Sequence, residues 1–206
     1  MKKIVCILVA LMLCLSAVAL AESVPSKKVD DLTKVTVTGV NLPADSGFFL
    51  RLIVDNEEEY QQLWEIYQKE IEKLTQSESV VAYFGAVKNA AEDAADMVTQ
   101  LESETLNVYE FWPVIARGYE EDYGAVTAEL LFSTPYEKDE KVLVLIGLVT
   151  VNQDNTQNVE WVAYDGFGMD LEDAGTEGWG GIQVELDPEI ILAIQNGTAL
   201  LAIVSK

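Results

Sequence analysis

Four carboxylates fall close together at Asp165, Asp170, Glu172 and Asp173, in a run that reads DGFGMDLED from Asp165. Hard oxygen donors at that density suit calcium, which takes about six to eight of them. Calcium at these residues is therefore one expectation. The spacing is not that of an EF-hand loop, which needs oxygens at alternate positions and a distal glutamate. Solvated acidic turns account for the same run. A second group is aromatic. Trp179 sits in Glu177-Gly178-Trp179-Gly180-Gly181, where the flanking glycines offer no side chain to cover an indole. Trp179 is the expected ligand-binding residue, stacking on a sugar ring or filling a partner's pocket. The competing reading folds it back over one end of the β-rich segment. A third group is Glu120-Glu121-Asp122, between Tyr119 and Tyr123 and downstream of Trp112. Paired carboxylates are what glycoside hydrolysis uses, although a chain with 35 acidic residues produces such groupings by composition alone.

Composition removes most other chemistry. The 206 residues include 13 Lys and Arg against 35 Asp and Glu, a formal net charge of -22, two cysteines and no histidine. Without histidine there is no Ser-His-Asp or Cys-His catalysis, and the commonest metal ligand is missing. Zinc is excluded on the same ground once both cysteines are placed in a cleaved leader. Gly178-Trp179-Gly180-Gly181 has neither the spacing of a dinucleotide fingerprint nor a following helix. Nucleic acid would be repelled by the excess negative charge.

Residues 1–21 read as a secretory signal peptide. Lys2 and Lys3 precede an apolar stretch from Ile4 to Leu15, and Ala19-Leu20-Ala21 supplies small residues before a cleavage site at Glu22. Cys6 and Cys14 both lie in this segment, so the mature chain is expected to lack disulfides. No later run is apolar for long enough to span a bilayer. Export without membrane insertion after cleavage follows, with the protein secreted, extracellular or held at the cell envelope.

The elements that must position these groups divide in two. Residues 22–33 are a polar, flexible leader, and residues 34–105 an α+β segment. Lys34–Val40 and Phe48–Val54 alternate as strands around a turn-rich link and are expected to form a β-hairpin. Asp55-Asn56 followed by Glu57-Glu58-Glu59 reads as a capped helix start. Apolar residues at Tyr60, Leu63, Trp64, Tyr67, Ile71 and Leu74 then mark one helix face. An alanine-rich run from Ala86 to Leu101 predicts further helix.

Residues 106–206 read as strands at 108–116, 125–132, 141–151, 159–164, 182–186 and 199–204. Val142–Val149 is apolar on both faces and so belongs in a central, buried strand. Asp187 caps a short helix with Pro188 at its first position, and Asn196-Gly197 ends it. The fold class expected is α+β: an N-terminal hairpin and helices, followed by a C-terminal immunoglobulin-like antiparallel β-sandwich.

Three stretches carry a resemblance: YGAVTAELLFSTPYEKDEKVLVLIGLV, VEWVAYDGF, and GGIQVELDPEIILAIQNGTALLAIVS. Over about the last 90 residues the chain resembles uncharacterised secreted proteins of anaerobic Gram-positive gut bacteria. The resemblance implies export and a β-rich C-terminus and attaches no activity. The functional expectation is an exported, non-enzymatic binding module whose ligand is a protein or a glycan. The alternative is a carboxylate-dependent glycan hydrolase.

Overall fold

The computed structural model describes residues 34–84, 88–89, 107–132, 136–169 and 180–205. Among the described residues there are nine strands: β1 (Lys34–Thr38), β2 (Phe49–Leu52), β3 (Lys88–Asn89), β4 (Asn107–Arg117), β5 (Val126–Phe132), β6 (Lys141–Val151), β7 (Gln157–Gly168), β8 (Gly180–Leu186) and β9 (Thr198–Ser205). Three helices accompany them, α1 (Gln61–Gln76), α2 (Val80–Phe84) and α3 (Pro188–Asn196), with 3-10 turns at Glu58–Tyr60 and Glu121–Tyr123.

Strand alternation sends the side chains of β6 to two different cores. Val142, Val144 and Ile146 enter one, while Leu143 and Leu145 enter the other. β9 repeats the pattern, with Leu201 and Ile203 on one side and Leu200 and Ala202 on the other. The two strands pair antiparallel at the centre of the sheet, as double-sided burial requires. The full order is β1-β5-β8-β7-β6-β9-β4-β2, antiparallel throughout, with β3 added parallel to β7. β1 and β2 end the order yet return alongside one another, so the sheet is nearly closed.

All eight main strands contribute to the core inside this curve. One end of it is stopped by α3, which inserts Ile190, Ile191 and Ile194 and packs on β4 and β9. Among the described residues the outer core covers β4, β9, β6 and β7, beneath α1 and α2. There Tyr67, Leu74, Val80 and Phe84 meet Phe111, Trp161 and Leu200. Among the described residues no helix is long and apolar enough to cross a membrane.

The expected α+β class and β-rich C-terminal segment are present; three finer expectations are not what the hydrogen bonds draw. First, β1 and β2 form no hairpin ladder: β1 pairs with β5, and β2 with β4. Second, an immunoglobulin-like sandwich has two separately bonded sheets, whereas here pairing runs unbroken through one sheet that includes β1 and β2. Third, Lys88 and Asn89, inside the run predicted as helix, pair with Val162 and Ala163. β7 bonds β8 only at Gly166–Gly168, which leaves edge groups at Val162 and Ala163 for β3 to satisfy.

Candidate functional site

The chain's two arginines come together on the outer face of β2 and β4. Their register sets Phe49 opposite Arg117 and Arg51 opposite Ile115, so Arg51 and Arg117 are diagonal neighbours. Two guanidinium groups so placed repel each other unless carboxylates intervene. The 3-10 turn before α1 supplies them: Arg51 donates to Glu57, and Arg117 to Glu59. Tyr60 lies between, with its ring centre 5.9 Å from the Arg51 guanidinium carbon and 5.6 Å from that of Arg117. Hydrogen bonding to Arg117 holds the Glu59 carboxyl below its usual range, and Glu59 in turn raises Arg117. Both pairs are solvent-exposed, so they position groups more than they stabilise the fold.

Glu59, Tyr60 and Arg117 of this cluster form one rim of a cleft of about 530 Å³. The 3-10 turn and the first turn of α1 make one wall, with Glu58, Gln61 and Gln62. Strand β4 makes the floor, and the end of α3 with Gly197 and Thr198 makes the other wall. Gln195 fixes that far wall. Its amide accepts from the Tyr119 backbone N–H at 2.8 Å and donates to the Tyr119 carbonyl at 3.2 Å, tying α3 to the chain leaving β4. Asp187 anchors the other end of α3, accepting from the Ile190 N–H at 3.0 Å and the Tyr164 hydroxyl at 2.8 Å.

Of the ligand-binding and calcium residues expected from the sequence, only Asp165 is among the described residues. Trp179, Asp170, Glu172 and Asp173 lie outside the described residues. Asp165 stands in strand β7 and not in a loop, half-buried and paired across the ladder with Leu143. Among the described residues no group of three or more acidic side chains converges as a metal site would require. Glu120, Glu121 and Asp122 are exposed on their turn, and the neighbouring tyrosines point inward. Tyr119 packs on Phe48 and Tyr123, and its hydroxyl donates to the Gly124 carbonyl at 2.6 Å. Trp112 donates its indole N–H to the buried Glu110 at 2.8 Å.

The capped helix start expected at Asp55-Asn56 and Glu57-Glu58-Glu59 is a 3-10 turn, Glu58–Tyr60, with no side-chain cap. α1 starts at Gln61 with no side-chain cap, and two of the three carboxylates face arginines instead. The one signal for this cluster in the sequence was the scarcity of arginine itself. Comparison with known proteins finds no match: no family model, curated protein or solved structure is similar to this chain.

Proposed function

We propose that the chain is an exported, non-enzymatic binding module of the cell envelope or extracellular space, and that its ligand, a glycan or a protein, enters the cleft beside Tyr60. The observation that carries this reading is the cleft itself. It is polar and preformed, it is held open by two separately anchored walls, and its volume lies in the usual range for small-ligand sites. The hydrolase alternative has less support there. A general acid needs a carboxyl whose pKa is raised by its surroundings, whereas Glu59 is shifted the opposite way by Arg117. Export is part of the same proposal, and mass spectrometry of the secreted chain is expected to find Glu22 as its first residue.

The binding test uses retention on cell-wall material and on immobilised extracellular proteins, with Gln62→Trp as the variant that fills the cleft from an exposed position. Wild-type protein is expected to be retained, and Gln62→Trp to lose at least tenfold in affinity. Equal retention of both would remove the cleft from the reading. Steady release of soluble sugar by the wild type would overturn the non-enzymatic part.

A further inference from the structure

We infer that the ligand of this cleft is an uncharged saccharide, an inference that rests on the binding reading above and narrows it to one chemical class. Size speaks first. A protein partner needs about 800 Å² of matching surface on each side, while a cleft of about 530 Å³ encloses a short sugar segment. Chemistry speaks next. The amides of Gln61 and Gln62 are exposed on the cleft wall with the Glu58 carboxylate beside them, and no hydrogen bond or ion pair among the described residues occupies any of the three. Each primary amide offers a donor and an acceptor a short distance apart, which matches neighbouring hydroxyl groups on a sugar ring.

Charge then removes the acidic sugars. An arginine pair alone would select an anion, but Glu57 and Glu59 already neutralise it. Glu58 remains as a local excess of negative charge, on a chain of net charge -22. A uronic acid or acidic peptide is therefore opposed both locally and at long range. A cationic sugar gains from Glu58, the guanidinium groups being already paired, but that one carboxylate is all that would receive its charge. The amides of Gln61 and Gln62, by contrast, both match the hydroxyl groups of a neutral polyol.

The test uses the full mature chain on an array holding neutral oligosaccharides, uronic-acid oligosaccharides, chitosan oligosaccharides and acidic and basic peptides, read at low and high salt. Binding to neutral oligosaccharides is expected, nearly independent of salt, and reduced at least fivefold by Gln62→Ala and by Gln61→Ala with melting curves unchanged. Binding to uronates, chitosan or peptides alone, lost in Gln62→Trp, overturns the saccharide class and leaves the binding module standing. Neutral-sugar binding that both alanine variants leave intact overturns the inference at this cleft. Retention on wall material without binding to any array probe overturns the uncharged-saccharide assignment in the same way, while the retention itself upholds the module.

Discussion

Gly147 shows how closely one side chain is fitted to its neighbour. It stands opposite Trp161 in the β6–β7 ladder, and a Cβ there would lie 2.6 Å from the indole ring and 2.7 Å from a Val159 methyl group. The missing side chain lets the indole lie flat on β6 and reach Phe84 and Tyr83 of α2, at ring distances of 4.8 and 6.1 Å. Gly147→Ala is expected to cost about 1–3 kcal/mol by overpacking, seen as a lower urea midpoint with an unchanged slope. A neutral result would mean that the indole is not held there. Glu70 is a second fitted residue, 2% exposed on α1. It receives Lys73 at 2.5 Å and the Tyr83 hydroxyl at 3.0 Å, which joins α1 to α2. Glu70→Ala strands a half-buried hydroxyl and should cost about 1–3 kcal/mol. Glu70→Gln keeps an acceptor for Tyr83 and should cost less. Equal losses in equilibrium unfolding would sink the hydrogen-bond account.

Strands and helices were legible to the extent that each carries its own signal. The bounds of β6 follow from a run apolar on both faces, and those of α3 from Asp187, Pro188 and Asn196-Gly197. What no local pattern carries is partner choice. Val35 and Val37 alternate in the same way whether β1 pairs with β2 or with β5, because alternation names the buried face and not the neighbour. Lys88-Asn89 lies in a helix-favouring run, and tertiary pairing with the open edge of β7 overrides that propensity. The candidate site was hidden for the same reason: Glu59 and Arg117 are 58 residues apart, and only the β2–β4 register and the 3-10 turn bring them together. α3 offers the cleanest test of a local signal with a distant consequence. Asp187 caps the helix and also receives the Tyr164 hydroxyl from β7. Asp187→Ala should lose about 1–2 kcal/mol for the cap and more for the stranded phenol. Asp187→Asn, which retains an acceptor oxygen, should recover most of the cap. If both variants unfold at the wild-type midpoint, α3 is not held by this residue.

Across the molecule, one sheet curls around a core, stopped by α3 and roofed on part of its outside by α1 and α2. Tyrosine sits at the junctions of these layers: Tyr67 and Tyr83 under the helical roof, Tyr164 against α3, and Tyr136 inside against Phe132 and Tyr109. Burial is the main reason that all four phenols are pushed well above their ordinary value of 10.0. Nearby carboxylates add to it: Glu110 for Tyr67, Glu70 for Tyr83, Glu110 and Glu140 for Tyr136, and Asp187 for Tyr164. The sign follows from linkage. A folded-state pKa raised above the unfolded value contributes stability that is fully present below pH 10 and is lost as pH rises beyond it, because only the unfolded chain can then release those protons. The protein should therefore show a steady fall in melting temperature above pH 10. Phenolate absorbance in the folded state should stop short of the eight tyrosines in the chain, and the remainder should appear together with the loss of the β-sheet circular dichroism signal. If all eight tyrosines ionise near pH 10 while the sheet signal persists, these phenols are open to solvent and the layered packing argued from them is wrong.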